Sequence, residues 1–277
     1  MFMMKPTKKN AEKDAQSDAR TRAARAFYEA GGFAAQADAV AGEVLRALSL
    51  CPPVADGEPL HVLNAGCGEG LYLRRLEQRM AQLSGQHSRL ASSVLWGTDQ
   101  NKLAVRYASK RQRSARFAVC SPHQLPFADG CFSVVFAVSA PSPWDEFCRV
   151  LRPGGVVIVA RPGNRHLSEL RTQLLRDSTG APVPGSEPPK QFSAGLAENY
   201  LRVSTEEQLG GSMAEHLLAM TPWGETRRKE ALLKELFKEG GGGGNGNGKD
   251  DGKMMTATID MIVSTHRVWL GTGGEPI

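Results

Sequence analysis

The sequence predicts an α/β fold in which a doubly wound, mostly parallel sheet has helices on both faces. Five short apolar runs support this prediction, because most of them lack strict alternation, as strands buried on both faces do. They span residues 61–66, 93–99, 115–120, 131–139 and 155–161. Segments of helical pattern lie between the runs, and alternating strands and helices are typical of a parallel sheet. Branched, alternating residues at 256–269 predict a last, antiparallel strand.

The rest of the chain has a different composition from segment to segment. We predict a disordered basic arm at residues 1–22 and a helical lid at 23–50. The main domain is predicted at 55–277, with a disordered glycine- and asparagine-rich insertion at 239–253. Two helical patterns, at 205–219 and 225–239, precede the insertion. The last strand after it is expected at an edge of the sheet, where an insertion costs little loop-closure entropy.

Composition excludes several classes of protein. With 277 residues and 41% hydrophobic content, the chain is long and apolar enough for a core. The longest apolar runs, such as 156–160, are far shorter than the ~18 residues of a membrane span. The five scattered cysteines include no CxxC pair, which indicates a reducing compartment and no zinc or disulfide frame. We expect a cytoplasmic protein, with an organelle such as the mitochondrion as the alternative.

A glycine-rich turn, AGCGEG at 65–70, follows the first predicted strand. Glycines at three alternate positions let a backbone approach a ligand closely and direct helix N–H groups at it. The turn therefore predicts a nucleotide-like cofactor, and a tight structural turn is the alternative. The predicted site residues in and beside it are Asn64, Gly66, Cys67, Gly68, Glu69 and Gly70. Glu69 is either a surface residue or a carboxylate placed for a cationic ligand that carries an amino group.

An acid, Asp99, ends the second predicted strand. An acid there accepts hydrogen bonds from the hydroxyls of an adenosine ribose, and Gln100 would flank the adenine. Dinucleotide folds use GxGxxG and place the acid ~20 residues further on, whereas Asp99 follows Gly70 by 29 residues. The spacing favours S-adenosylmethionine over NAD. Ser121, in the loop SPHQLPF after the third strand, is expected against the adenine.

Together these segments resemble the Rossmann-like class I S-adenosylmethionine-dependent methyltransferases over roughly residues 55–165. The flanking segments ARAFYEAGGF, RPGNRHLSEL and LLAMTPW narrow the resemblance to the bacterial 23S rRNA (guanine-N1)-methyltransferases of the RlmA type. The resemblance implies cofactor contacts at Phe33, Gly68, Glu69 and His166. The zinc module of that family has no Cys or His counterpart in residues 1–22, so we predict no metal site and leave the RNA target open.

The leading prediction is an S-adenosylmethionine-dependent methyltransferase acting on guanine N1 of large-subunit rRNA. A small-molecule methyltransferase and a non-catalytic cofactor-binding protein are the alternatives. Asp145 and Glu146 are candidates for the base that accepts the N1 proton, or are simply solvated residues that open a helix. The basic arm and Lys102, Arg106 and Lys110, spaced by four, are predicted to bind RNA phosphates, although a solvated helix flank explains the spacing equally well.

Overall fold

A computed structural model of the chain describes residues 8–52, 58–83, 93–175, 199–221, 226–236 and 254–268. The chain divides into two compact units. The sheet unit comprises Phe33–His166, Pro182–Ser204 and Asp260–Ile277, and the helical unit comprises Met1–Gly32, Leu167–Ala181 and Thr205–Ile259. Within the described residues, no helix combines the length and the apolar character that a membrane crossing requires.

Seven strands form one mixed sheet, and the predicted fold class is confirmed. The strands are β1 His61–Ala65, β2 Val94–Asp99, β3 Arg116–Val119, β4 Phe132–Val138, β5 Leu151–Pro162, β6 Asn199–Leu209 and β7 Met255–Arg267. Their order across the sheet is β3-β2-β1-β4-β5-β7-β6. Neighbouring strands from β1 to β5 pair in parallel, and β7 pairs antiparallel with β5. The carboxyl ends of β1, β2, β4 and β5 therefore share one edge.

Eight helices accompany the sheet in the described part of the chain. They are α1 Lys8–Glu29, α2 Ala34–Leu50, α3 Leu71–Leu83, α4 Lys102–Arg111, α5 Trp144–Val150, α6 Ser168–Leu175, α7 Gly211–Met220 and α8 Thr226–Leu236. In the helical unit, α1 and α8 pack against α7. In the sheet unit, α2 packs against α3.

Strand β4 shows why the central apolar runs do not alternate. Every one of its residues is buried. Val134 and Phe136 pack in a cluster with residues of α2 and α3, whereas Val135 packs on the other side with Phe147 of α5. A strand covered by helices on both faces has no solvent-facing positions, so selection for a polar residue at every second position is absent.

Three sequence predictions differ from the structure. Residues 8–22, predicted to be disordered, belong to α1, which is rich in the strong helix formers Ala, Lys and Arg and packs against α7. The helix predicted from residue 205 begins only at Gly211, because the preceding residues form β6 and sheet pairing overrides their local preference. The last strand is not at the edge, since β6 lies outside it. Residues 1–7 and the predicted insertion 239–253 lie outside the described residues.

Candidate cofactor site

The turn after β1 has the backbone that its glycines predict. The φ angles are 74°, 54° and 89° at Gly66, Gly68 and Gly70, all in the region that favours glycine. The N–H groups of Gly66 and Cys67 both donate to the carbonyl oxygen of Thr98, at 2.8 Å, which fixes the turn against β2. The Gly70 carbonyl oxygen accepts from the N–H of Arg74 at 2.9 Å, so α3 begins where the turn ends.

Asp99 holds the middle of this turn. Its Oδ2 accepts from the N–H of Gly68 at 2.9 Å, and its Oδ1 accepts from the N–H of Asn101 at 2.8 Å. A carboxylate offers about four acceptor positions, so each oxygen keeps capacity for a ligand hydroxyl. A Cβ built on Gly68 would meet no atom within 4 Å. Open space therefore lies beside the backbone where the sequence predicts the cofactor.

Asn64 provides a test of whether the site fits S-adenosylmethionine. Its side chain is buried, with the residue 1% exposed, and neither Nδ2 nor Oδ1 has a hydrogen-bond partner among the described residues. An unsatisfied buried amide costs about 1–3 kcal/mol, so a partner from outside the chain would stabilise it. Three features of the site fit a ligand that carries hydroxyl, amino and carboxylate groups. They are the unsatisfied amide of Asn64, two residues before Gly66, the open space at Gly68 and the acceptor capacity of Asp99.

Glu69 is not a surface residue, which settles one of the alternatives left open by the sequence. Its side chain is 1% exposed and accepts from Nη1 of Arg111 at 2.8 Å. Arg111 is the last residue of α4, so this ion pair joins the turn to that helix. Arg111 gave no signal in the sequence, because the partners are 42 residues apart.

Cys67 also lies in the turn but is unsuited to nucleophilic chemistry. Burial, with a further contribution from the charge of Asp99, raises the pKa of its thiol far above the usual range. The reactive form of cysteine is the thiolate, which such a site disfavours. We assign Cys67 a packing role beside the backbone of the turn.

The loop after β3 starts beside Asp99, as predicted for the adenine side of the site. The Cys120 N–H donates to the carbonyl oxygen of Asp99 at 3.1 Å. Ser121 closes the loop: its Oγ accepts from the His123 N–H at 3.2 Å and its carbonyl oxygen from the Gln124 N–H at 3.1 Å. Gln100, the residue after Asp99, is exposed. Its predicted contact with the adenine stays a prediction.

The ends of β4 and β5 complete the edge. The Ser139 N–H donates to the carbonyl oxygen of Ala160 at 2.8 Å, and Ser139 adopts a φ of 49°. A non-glycine residue in this region stores of order 1–2 kcal/mol of strain, which the surrounding structure must hold. The next residue, Ala140, approaches the glycine turn so closely that a Cβ on Gly66 would lie 2.4 Å from its Cβ.

Two predicted contacts far apart in the sequence, Phe33 and His166, lie together. Their ring centroids are 6.1 Å apart. Phe33 has a φ of 61° at the start of α2. His166 Nδ1 accepts from the N–H of Asp260 at 3.3 Å, which assigns the ring proton to Nε2 in the neutral form.

Asp260 is a residue of this region that the sequence did not reveal. Its side chain is fully buried, and its Oδ1 and Oδ2 accept from Nε and Nη2 of Arg202, both at 2.8 Å. The N–H of Arg165 also donates to Oδ2, at 3.0 Å. Burial alone would raise the pKa of Asp260, but these hydrogen bonds and the Arg202 charge lower it below its ordinary value. The available signal was the one acid in the strand Met255–Arg267.

The two candidate bases have different surroundings. Glu146 accepts from Nε and Nη2 of Arg149, at 2.9 and 2.7 Å, and from the N–H of Leu125 at 2.6 Å. The hydrogen bonds from Arg149 lower the pKa of Glu146, which makes it a weaker base. These contacts favour a structural role for Glu146, and its predicted catalytic role stays a prediction. Asp145 is exposed at the start of α5, and its catalytic role stays a prediction.

The predicted basic face is present on α4. Lys102, Arg106 and Lys110 are all exposed, and none forms a salt bridge with a residue in the described ranges. The helix begins where Oδ1 of Asn101 accepts from the N–H groups of Leu103 and Ala104, at 2.8 and 3.1 Å. The positive charge of this face is therefore available to a solvent-borne partner.

Comparison with known proteins identifies the fold and the domain. Residues 63–159 match the family described as Methyltransferase domain. The YcgJ protein from Bacillus subtilis, a solved structure, superimposes with a TM-score of 0.50 at 16% identity and covers 84% of this chain and 99% of that one, which shows the fold alone.

Three curated relatives extend the comparison. A putative 23S rRNA (guanine-N1)-methyltransferase, YxjB of Bacillus subtilis, is 29% identical over 215 residues, 76% of this chain and 72% of that protein. A 23S rRNA (guanine(748)-N1)-methyltransferase of Streptomyces fradiae is 31% identical over 170 residues, which are 61% of this chain. The match covers 54% of that protein, about half of its length. A malonyl-[acyl-carrier protein] O-methyltransferase of Pectobacterium atrosepticum is 30% identical over 53% of this chain and 55% of that protein.

The fold, the glycine turn and the matched domain define the class: the chain is a class I methyltransferase, and S-adenosylmethionine is its methyl donor. Three curated relatives named as 23S rRNA (guanine-N1)-methyltransferases, 29–33% identical to this chain, agree with the RlmA-type resemblance of the flanking motifs. The chain is therefore an enzyme, and the alternative of a non-catalytic cofactor-binding protein is not supported.

Proposed function

We propose that the chain methylates N1 of a guanine in large-subunit rRNA. The length of the sequence similarity carries this proposal. The alignment with the Bacillus subtilis relative spans 215 residues, more than twice the range 63–159 that matches the general methyltransferase domain. A shared cofactor domain alone does not define the acceptor, whereas similarity in the flanks, where the acceptor must bind, supports a shared substrate class.

The proposed cofactor contacts follow from the geometry at the carboxyl edge of the sheet. Asp99 accepts from the ribose hydroxyls, the backbone at Gly68 lies along the ligand, and Asn64 binds its polar end. Gln100 and Ser121 would flank the adenine, and Phe33 and His166 would contact the methionine part. The bound cofactor supplies a sulfonium-linked methyl group that an attacking nitrogen can displace. The chain then has to align the two reactants and exclude water.

The acceptor needs a base, because N1 of guanine carries a proton at neutral pH. Asp145, which is exposed at the start of α5, is the carboxylate that we favour near the end of β4, and a water molecule held there is the alternative. An N1 atom paired inside a stem cannot be reached. We therefore expect the target guanine in a loop or flipped out of its helix.

We assign phosphate binding to the basic face of α4. Lys102, Arg106 and Lys110 are exposed and have no competing carboxylate among the described residues, which supports contact with a polyanion. Lys or Arg side chains that neutralise phosphates release counterions, so the affinity for RNA should fall steeply with salt. Residues 1–7, which carry one further basic side chain, that of Lys5, lie outside the described residues.

A small acidic acceptor is the second candidate. The similarity to the malonyl-[acyl-carrier protein] O-methyltransferase of Pectobacterium atrosepticum, at 30% identity over 157 residues, favours it. That similarity covers 53% of this chain, against 76% for the rRNA-type relative. The shorter alignment makes it the weaker candidate.

The test is incubation of the full chain with radiolabelled S-adenosylmethionine and, in separate reactions, unmodified large-subunit rRNA, small-subunit rRNA and malonyl-acyl carrier protein. The Asp99→Ala variant serves as the blank. Label in large-subunit rRNA that digests to 1-methylguanosine is the expected result. Label in the carrier protein alone would transfer the assignment to the second candidate, and a different methylated nucleoside would overturn the guanine N1 assignment.

A further inference from the structure

We propose that Asp260 and Arg202 are positioning residues, which fix the ring of His166 in the orientation in which it contacts the cofactor. They act through the segment Gly163–His166, here named the strap, which follows β5. The inference rests on the proposed function, in which His166 contacts the bound cofactor. It concerns residues that the resemblance to the RlmA type does not assign.

The strap leaves the sheet at the edge that carries the cofactor site. β5 ends at Pro162, and its neighbour β4 ends where Ser139 donates to Ala160 of β5. Ala140, the next residue, packs against Gly66 of the glycine turn. The strap therefore continues from a strand whose carboxyl end is joined to that turn, and its last residue, His166, lies next to the ring of Phe33.

Asp260 holds the strap through three backbone contacts. Its carboxylate accepts from the Arg165 N–H at 3.0 Å, and its carbonyl oxygen accepts from the Gly163 N–H at 2.9 Å. Its own N–H donates to Nδ1 of His166 at 3.3 Å. Since Nδ1 accepts, the ring proton must be on Nε2, and the hydrogen bond from Asp260 fixes the orientation of the ring.

Gly163 shows how closely the carboxylate approaches the strap. A Cβ at this position would lie 2.2 Å from Oδ2 and 2.5 Å from Cγ of Asp260. Only a glycine therefore allows the buried carboxylate to pack against the backbone here. The close approach ties the position of the strap to the position of one side chain.

Arg202 fixes the direction of that carboxylate. Its guanidinium donates two parallel hydrogen bonds to Asp260, and Nη2 also donates to Oδ1 of Asn164 in the strap, at 3.0 Å. A two-pronged Arg–carboxylate pair sets an orientation as well as a charge, which a lysine cannot reproduce.

The chemistry of the pair favours positioning over stability as its role. Asp260 is buried, whereas the side chain of Arg202 is 48% exposed. Such a pair contributes little net stability, because solvent screens the arginine and desolvation of the carboxylate offsets the attraction. What the pair supplies here is a fixed set of hydrogen bonds around His166. A purely structural role predicts that its loss lowers stability alone, whereas a positioning role predicts an additional loss of cofactor affinity that depends on His166.

The experiment compares variants of the full chain by urea unfolding and by calorimetric titration with S-adenosylhomocysteine, which needs no methyl acceptor. Asp260→Asn keeps the shape of the carboxylate and removes its charge, and Arg202→Lys keeps the charge and removes the paired hydrogen bonds. The matched control is Asp38→Asn, which breaks another two-pronged pair in the same unit, that of Asp38 with Arg75, at 2.7 and 2.6 Å. His166→Ala, alone and combined with Asp260→Asn, completes a double-mutant cycle.

We expect Asp260→Asn to weaken binding at least tenfold, Arg202→Lys three- to tenfold, and Asp38→Asn less than twofold. In the His166→Ala background, Asp260→Asn should weaken binding less than twofold further. Nitrogen-15 spectra of the ring should place the His166 proton on Nε2 in the unsubstituted chain.

Equal effects of Asp260→Asn and Asp38→Asn on affinity, or additive effects of Asp260→Asn and His166→Ala, would overturn the proposal. So would a proton on Nδ1 of His166, or an unsubstituted chain that fails to bind S-adenosylhomocysteine. Binding of this ligand without methylation of rRNA would instead overturn the proposed acceptor and leave the positioning role supported by the cycle.

Discussion

Two glycines of the same turn, Gly66 and Gly68, should respond differently to substitution by alanine: Gly66→Ala should mainly lower stability, whereas Gly68→Ala should mainly lower cofactor affinity. Both have a positive φ, so alanine at either position adopts an unfavourable backbone conformation that costs about 1–2 kcal/mol. The surroundings differ, because a Cβ at Gly66 would lie 2.4 Å from the Cβ of Ala140, whereas a Cβ at Gly68 would meet nothing within 4 Å.

The expected magnitudes follow from that difference. Gly66→Ala adds an overpacking cost of about 1–3 kcal/mol, so its total loss of unfolding free energy should be about 2–5 kcal/mol. Gly68→Ala should lose only the backbone cost, about 1–2 kcal/mol. Its new methyl group, however, occupies the space beside the backbone that we assign to the cofactor. Its affinity for S-adenosylhomocysteine should therefore fall at least tenfold, which corresponds to about 1.4 kcal/mol.

Urea unfolding and calorimetric titration of both variants test these values. The sharpest comparison is between the two variants, since they share chemistry, turn and backbone strain. Unchanged affinity in Gly68→Ala would refute the placement of the cofactor beside this residue. A larger stability loss in Gly68→Ala than in Gly66→Ala would refute the packing argument itself.

Two further predictions concern the charged residues. Glu146→Gln should lower the unfolding free energy by about 2 kcal/mol at pH 7, because it weakens the hydrogen bonds with Arg149. The pKa of Glu146 in the folded chain lies below the ordinary value of 4.5, so its contribution is complete above pH 4.5 and is lost as the pH falls through the lowered pKa. The unfolding free energies of Glu146→Gln and of the unsubstituted chain, measured with urea, should therefore become equal in acid. The double substitution Arg106→Ala, Lys110→Ala should weaken binding of large-subunit rRNA and flatten the slope of log affinity against log salt by about 1.4–1.8, as measured by filter binding.

Each of these predictions has its own control. For Glu146→Gln, methyl transfer per folded molecule at pH 7 should stay within about twofold of the unsubstituted chain if its role is structural, since a lost catalytic base costs about 10²–10⁴ in rate. A hundredfold loss would restore Glu146 as a catalytic residue. For the basic face, Arg227→Ala with Lys234→Ala removes two exposed charges from α8 of the helical unit. An equal change of slope in both double variants would assign the effect to net charge rather than to α4.

Local pattern was sufficient for much of this fold. The runs that became β1, β4 and β5 were predictable because strands buried on both faces are apolar at nearly every position, whatever their neighbours are. The glycine turn was predictable for a similar reason, since the positive φ angles at Gly66, Gly68 and Gly70 are intrinsic to the turn. Prediction failed for residues 199–209, where polar residues such as those of STEEQ have little strand preference and pairing within the sheet decides.

The candidate site divides in the same way. Gly68 and Asp99 were predicted as cofactor contacts from their places at strand ends, and the structure brings the two residues together through a hydrogen bond. Their contacts with the cofactor stay a prediction. The pairing of Glu69 with Arg111 was not predictable, because an ion pair between residues 42 apart leaves no local trace.

The sequence by itself determined the order of the elements from β1 to β5, the glycine turn, the acid at the end of β2 and the class of cofactor, because each of these depends on residues within one or two adjacent elements. Only the tertiary structure decided that Glu146 pairs with Arg149, and that the buried Asp260 donates a hydrogen bond to His166, whose ring lies beside Phe33. Those contacts join distant segments, and their existence depends on how the strands and loops are brought together rather than on any local preference of the chain.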